Sequence, residues 1–204
     1  MLNSDNLTLD DNHVYGIEGV PIPGVSEILQ AAGISDFSAI PADRLEASRQ
    51  FGTAVHKACQ LSDLGTLDVE ILDDNLRPYL QGWETFRQEY GISCEAIEQK
   101  LYHPLYRFAG TIDRIAHWRI DDSLLIIDIK SGADNPAIAI QLAAYELLVK
   151  ENTQTKEKIK RLAVMLNDTG TYKIKEYNDK NDTNIFLSAL SIYNFKRRKN
   201  GNKN

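Results

Sequence analysis

The 204-residue sequence predicts a mixed α/β fold, a central β-sheet flanked by helices. Three observations point to it. Apolar residues recur at helical spacing up to Tyr90 and at strand spacing after Gly91. Leu124-Leu125-Ile126-Ile127 is a continuous apolar run, the pattern of a strand buried on both faces. Further helical patterns then separate and close the strands, an order that belongs to helices layered on a sheet.

The elements follow in chain order. Residues 1–12 are polar and predicted to be loose. A short strand is expected over His13–Val20, closed by Pro21-Ile22-Pro23-Gly24. Ser26 then reads as the N-cap of a helix over Glu27–Ala32, stopped by Gly33. Pro41–Leu64 reads as a longer helix with Leu45, Phe51, Val55, Cys59 and Leu64 apolar and Pro41 in its first turn. Asp73–Tyr90 gives a third, ending at Gly91. Strands are expected over Ile92–Tyr102, Phe108–Ile120 and Ser123–Lys130, punctuated by Pro104 and Asp121-Asp122. A helix over Asn135–Lys150 carries Ile138, Leu142, Leu147 and Leu148. A hairpin pairs Arg161–Leu166 with Thr171–Tyr177 around Asn167-Asp168-Thr169-Gly170, and a helix from Asp182 to Arg198 precedes a basic tail.

Composition bounds the function. The chain is 43% hydrophobic and 25% charged, enough for a core without disulfide or metal staples. We expect one domain over 1–204: a mainly helical part (1–91), a sheet core (92–178), and a C-terminal helix with basic tail (179–204). The net charge of -6 argues against a protein that simply coats nucleic acid. It is compatible with a metal site, where carboxylates gather and the ion supplies the positive charge. Cys59 and Cys94 lie outside any Cys-x-x-Cys pair, which excludes a zinc ribbon or iron–sulfur cluster. The polar N-terminus and the lack of a run near ~20 apolar residues predict no membrane association and a cytoplasmic protein. No phosphate loop, Rossmann fingerprint or Gly-x-Ser-x-Gly is present.

Chemistry concentrates in Gly110-Thr111-Ile112-Asp113-Arg114 and Ile127-Asp128-Ile129-Lys130-Ser131-Gly132. Residues two apart on a strand share a face, so Asp128 and Lys130 point one way and Ile129 the other. A carboxylate and an ammonium at the end of a central strand are expensive unless paired or binding an ion. If the Asp121-Asp122 turn joins two antiparallel strands, Asp113 comes to the same end as Asp128. Two such carboxylates form a hard-oxygen site for Mg²⁺ or Mn²⁺. Lys130 beside them can hold or help deprotonate water, or neutralise a phosphate. Taken alone, each of these signals also fits a surface salt bridge.

The set resembles the PD-(D/E)xK nuclease superfamily, and more closely its RecB-like, phage-type exonuclease branch. Gly110 to Asp113 is similar to that branch's Gly-x-x-Asp motif. Asp128 to Gly132 is similar to its Asp-x-Lys-(Thr/Ser)-Gly. Gln141 and Tyr145 match Gln-x-x-x-Tyr, and Gly52 with His56 matches Gly-x-x-x-His, all in the family's order. The resemblance implies a restriction-endonuclease-like core with a mixed sheet and an N-terminal helical region. It also implies metal-dependent hydrolysis of DNA, exonucleolytic, in phage or DNA recombination, repair or defence processing. His56, Asp113, Asp128 and the Ile129 carbonyl would hold Mg²⁺ or Mn²⁺, and Lys130 would activate water. Glu98, Gln141 and Tyr145 would support, with Glu95 competing with Glu98 for the first-motif acid. Gly132 is expected to take a backbone angle that other residues resist.

Ser131, Lys196, Arg197 and Arg198 are expected to contact DNA, with Lys156, Lys158, Lys160 and Arg161 as a second basic cluster. No sequence-reading module is visible, so DNA is expected to be met at its backbone, as ends or single strands and without sequence preference, alongside a single-strand-annealing or recombination protein as a candidate partner. The alternative is a catalytically idle nuclease fold serving as a DNA-binding or protein-interaction module.

Overall fold

The computed structural model describes residues 6–121 and 123–201. The Asp121-Asp122 turn therefore falls partly outside the described residues. The chain opens with three short strands, β1 (Leu7–Leu9), β2 (Tyr15–Ile17) and β3 (Val20–Ile22), paired antiparallel as a meander. The single strand expected over His13–Val20 is divided at Glu18-Gly19. Both residues take positive φ (50° and 78°), as a two-residue hairpin turn requires, and Ile17 pairs with Val20 across it. The N-terminal part is thus not purely helical.

Helix α1 spans Val25–Ala31 with Gly24 at its N-cap and no side-chain cap, so Ser26 lies in its first turn and does not cap it. Helix α2 spans Ala42–Asp63, with Pro41 immediately before it. Helix α3 (Arg77–Tyr90) starts four residues later than the apolar pattern suggests. Asp73 makes a separate turn there, its carboxylate accepting from the Asn75 amide (2.8 Å) and its carbonyl from the Leu76 amide (2.9 Å). Gly91, at φ 57°, ends α3 in the left-handed conformation that glycine adopts most easily.

The main sheet holds β4 (Ile92–His103), β5 (Phe108–Trp118), β6 (Ser123–Lys130), β7 (Ile159–Leu166) and β8 (Tyr172–Tyr177), in that spatial order. Only β6 and β7 run parallel, so they need a crossover, and α4 (Ala137–Thr153) supplies it. Helix α5 spans Asn181–Gly201. Strand β6 sits in the middle, as its apolar run demands, and every residue from Ser123 to Ile129 is buried. Helices α1, α4 and α5 cover one face, where Ile28, Leu101, Ile126, Leu148 and Phe186 pack. Helices α2 and α3 cover the other, where Val55, Trp83, Phe86, Leu125, Ile127 and Ile129 pack.

The pleat breaks at one place, and that place positions the site. Side chains on a strand alternate between faces. Yet Ile112 and Ile115, three apart on β5, pack in the same core cluster, while Ala116 packs in the other. Between them lie Asp113 and Arg114. The register pairs Ile97 with Arg114 and Gln99 with Ile112, which sets Glu98 opposite Asp113. Glu98 has φ 51°, a left-handed angle inside a strand, at a cost on the order of 1–3 kcal/mol.

Two glycines of the sequence motifs differ in what they do. A Cβ on Gly110 would stand 2.8 Å from Cε1 of Tyr145 and 3.2 Å from Leu148, so the glycine makes room for the tyrosine ring. Gly132 has open space around it and is not among the residues at positive φ, contrary to the expectation of an unusual backbone angle there. We predict that Gly110→Ala destabilises the protein by about 1–3 kcal/mol by overpacking. Gly132→Ala should change stability by no more than about 0.5 kcal/mol. Urea denaturation of the two variants checks both.

Candidate active site

The site forms where β5 and β6 leave their ladder and α2 passes the end of β6. A Cβ on Gly52 of α2 would lie 3.6 Å from the Ser131 hydroxyl, so helix and strand end are in close approach. One turn further along α2, the His56 Nε2–H donates to the Ile129 carbonyl (2.8 Å), while its Nδ1 lies 3.5 Å from Oδ2 of Asp113. That same Asp113 oxygen accepts the Ile129 amide at 2.6 Å. One residue, Ile129, is therefore clasped through both its carbonyl and its amide.

Glu98 completes a cluster. Ligand atoms of His56, Glu98 and Asp113 all lie within 4.8 Å of one another. Two carboxylates and an imidazole form a donor set suited to Mn²⁺ or Mg²⁺, and the Ile129 carbonyl borders it. Glu95 is placed elsewhere, 2.8 Å from Nε2 of His117, so only Glu98 joins the cluster.

Asp128 is arranged differently. It is buried, and its oxygens lie 2.9 and 3.1 Å from the Lys130 ammonium. Lys130 Nζ also donates to Gln141 Oε1 (3.3 Å), and Gln141 Nε2 donates to the Tyr145 hydroxyl (2.8 Å). Gln141 and Tyr145, four apart on α4, thus share a face and form one chain of contacts back to Lys130. Asp128 lies outside the three-residue cluster, on the adjacent strand.

Charge coupling follows from this geometry. Burial alone would lower the His56 pKa, but the Asp113 carboxylate outweighs it and the imidazole is raised to about 9. Burial pushes Asp113 up, yet His56, Lys130 and the Ile129 amide together hold it below the usual carboxylate range. Asp128 is raised, first by burial and then by Asp113, against the pull of Lys130. Lys130 is raised despite burial, because Asp128 and Asp113 favour its charged form.

Sequence reasoning misses the support behind this cluster. Arg114, fully buried, donates from Nε to Asp63 Oδ2 (2.5 Å) and from Nη1 to Glu98 Oε1 (3.2 Å) and the Asp113 carbonyl (2.5 Å). Its guanidinium lies 5.4 Å from the Trp83 ring. Asp63, on α2 two turns after His56, also accepts from Trp83 Nε1 (2.9 Å) and from Arg87. The available signals are Asp63 in register with His56 on one helix and a charged residue directly after Asp113. Neither is distinctive without the fold.

The expected DNA contacts divide. Ser131 stands at the end of β6 beside the site. On α5, Lys196 Nζ donates to the Ala31 carbonyl (2.6 Å), Arg198 Nε to the Asn194 carbonyl (3.4 Å), and Arg197 borders a cavity next to the cluster. Arg161 is buried between Glu146 and Asp182 and bonds the Asp179 carbonyl, so it is a structural residue and not a surface cation. Lys160 is paired with Asp121 and sits 4.0 Å from the Trp118 ring. The Cys59 thiol is buried and pushed up to about 12, an inert group. No helix among the described residues is long and apolar enough to cross a membrane.

A mixed five-stranded sheet with helices on both faces, and acidic residues meeting a lysine at the end of its middle strand, define a class. The chain belongs to the PD-(D/E)XK nuclease superfamily, whose family model matches residues 59–191. That match takes in Glu98, Asp113, Asp128, Lys130, Gln141 and Tyr145 and begins just past His56. Among solved structures, the chain is similar to a candidate exonuclease from Eubacterium rectale (14% identity, TM-score 0.53, covering 86% of this chain and 79% of that one). It also aligns with an alkaline exonuclease from Laribacter hongkongensis (16% identity, TM-score 0.39, covering 87% and 93%). No curated protein matches the chain.

The His56 geometry yields a pH dependence. With its pKa near 9 in the metal-free protein, the imidazole is protonated at neutral pH and must lose that proton to ligate. Mn²⁺ affinity should therefore rise about tenfold per pH unit through this group, up to about pH 9, and level off above it. Calorimetric titration between pH 6.5 and 9.5 checks this, and His56→Ala should flatten the slope.

Proposed function

We propose that this protein is a Mg²⁺- or Mn²⁺-dependent deoxyribonuclease of the RecB-like branch, acting as an exonuclease on phosphodiester bonds. The observation that carries the reading is the convergence of His56, Glu98 and Asp113 beside the Asp128–Lys130 pair in a member of a nuclease superfamily. The exonuclease name of the structural neighbour from Eubacterium rectale agrees with it.

His56, Glu98 and Asp113 would hold the cation, with the Ile129 carbonyl as a further oxygen donor. A bound divalent cation supplies Lewis acidity at the phosphate and lowers the pKa of a bound water. The chain's own groups do the rest. Lys130, kept protonated by Asp128 and Asp113, serves as a fixed ammonium that positions the attacking water or offsets phosphate charge. Asp128 anchors Lys130, and Gln141 holds it from the other side. Tyr145, itself held by Gln141, presents a phenol whose pKa burial pushes well up, so it stays protonated and acts only as a hydrogen-bonding group. Arg114, gripped by Asp63, keeps Glu98 aimed at the cluster.

The test is hydrolysis of linear single- and double-stranded DNA with Mn²⁺ and with EDTA. We expect activity that EDTA abolishes, mononucleotide or short products from the earliest times, and survival of circular DNA. Asp113→Ala and Lys130→Ala should each lower the rate by at least about a hundredfold, as removal of one preorganised electrostatic group does. Unchanged rates in either variant contradict the reading.

A further inference from the structure

One guanidinium stands between three carboxylates behind the cluster, and only two of them can ligate an ion. Arg114 is fully buried. Its Nε lies 2.5 Å from Oδ2 of Asp63, and its Nη1 lies 3.2 Å from Oε1 of Glu98. Nη1 also donates to the carbonyl of Asp113, the other carboxylate of the cluster, at 2.5 Å. The third nitrogen, Nη2, is buried with no hydrogen-bond partner among the described residues. The short contact goes to Asp63, which is not part of the cluster, and the long one to Glu98, which is.

Asp63 is held firmly enough to keep that guanidinium. It is the last residue of α2, and its side chain is 1% exposed. Its other oxygen accepts Trp83 Nε1 at 2.9 Å and Arg87 Nη1, so α3 fixes it from the far side. The Trp83 ring lies 5.4 Å from the guanidinium carbon of Arg114. A pair enclosed in this way is screened little by salt. Glu98, by contrast, is poised for capture. Its φ of 51° already brings it to the cluster, one N–H of Arg114 already reaches it, and the orphaned Nη2 is a second donor. Two parallel N–H bonds are the arrangement an arginine and a carboxylate favour. A guanidinium so placed would occupy the oxygens that a divalent cation needs.

We propose that Asp63 is a positioning residue of the cation site: by holding Arg114 through Nε, it keeps that charge from closing onto Glu98 and leaves the Glu98 carboxylate free to ligate. Asp63 does not touch the ion and acts only through Arg114. Arg87 draws on the same Asp63 carboxylate and so weakens its hold on Arg114. Cation affinity is thus set from behind the cluster, at the end of the helix that also carries His56. The proposal rests on reading His56, Glu98 and Asp113 as a cation site and adds to it the residue that keeps the site open.

The test measures cation binding apart from cleavage. Mn²⁺ binding to the full chain is followed by calorimetry and by the paramagnetic resonance signal of the free ion. Asp63→Asn keeps the shape and removes the charge. It should weaken Mn²⁺ binding by at least about tenfold, the scale on which residues behind a ligand act. Arg114→Met removes an anchor of Glu98 and its competitor together, so it should cost less than Asp63→Asn. The double variant should bind as Arg114→Met alone does, because Asp63 then has nothing left to restrain. Independent damage to the fold would instead add across the two positions. Arg87→Gln leaves Asp63 with a single guanidinium and should bind Mn²⁺ at least as tightly as the parent. Arg87 is 30% exposed, so this variant carries the test if Asp63→Asn does not fold. Parent-like affinity in Asp63→Asn overturns the proposal. So does a double variant in which the two losses add, and so does weaker binding in Arg87→Gln. Those results leave the nuclease reading standing if Mn²⁺-dependent hydrolysis of DNA persists in the parent. The expected binding pattern with no hydrolysis by the parent sinks the nuclease reading and keeps Asp63 as the positioning residue of a cation site. Failure of the parent to bind Mn²⁺ overturns both.

Discussion

The Asp113 carboxylate is the constraint around which the rest of the site is organised. It is almost fully buried, and an ionised carboxylate out of water is tolerated only with partners. Those partners come from two other elements: the Ile129 amide from β6 and the His56 ring from α2. Satisfying one charge therefore ties two strands and a helix together at a single point. It also accounts for the break in the pleat. Asp113 and Glu98 stand opposite one another on β5 and β4, and Glu98 turns through a left-handed angle that brings its carboxylate into the cluster. Like charges so placed repel one another, and a cation held between them would relieve that repulsion.

Behind the cluster, charge is balanced by the protein's own groups. Asp63 receives Arg114, Arg87 and the Trp83 indole, and Arg114 reaches from Asp63 to Glu98 and the Asp113 carbonyl. A buried guanidinium with only one such partner would be costly, whereas several acceptors make its burial tolerable. The same α2 helix carries His56 and Asp63 on one side, two turns apart. Motion of that helix would disturb both the cluster and its support. On the other face of the sheet, Asp128, Lys130, Gln141 and Tyr145 run in a line from β6 to α4. Gly110 lets the Tyr145 ring lie against β5. Two motifs far apart in the sequence are thus one packing unit.

Much of this architecture is legible in the amino-acid sequence. The apolar run of β6 announces a central strand because a strand covered on both faces has no polar side. The two-residue spacing of Asp128 and Lys130 puts them on one face because the strand period is two. What the sequence conceals has physical reasons as well. In the meander, β2 and the start of β3 read as one strand and β1 falls in a stretch read as loose, because strands of only three residues are too short to show alternation, although Gly19 marks the turn. Ser26 looks like a cap, but Gly24 and the paired β3 before it already set the chain's entry into α1. Arg161 looks like part of a basic surface because sequence does not reveal that Glu146 and Asp182 enclose it. Choosing Glu98 over Glu95 depends on a bulge: the register shifts by one residue between Cys94 and Ala96, and Glu95 turns to His117. No periodicity argument predicts which residue a bulge displaces.

The decisive measurement is a crystal structure grown with Mn²⁺, with the ion located by its anomalous scattering. We expect one strong peak within coordination distance of His56, Glu98 and Asp113 and next to the Ile129 carbonyl, with Lys130 still against Asp128. A peak held by Asp128 without Glu98 or His56, or no peak at saturating Mn²⁺, would contradict it.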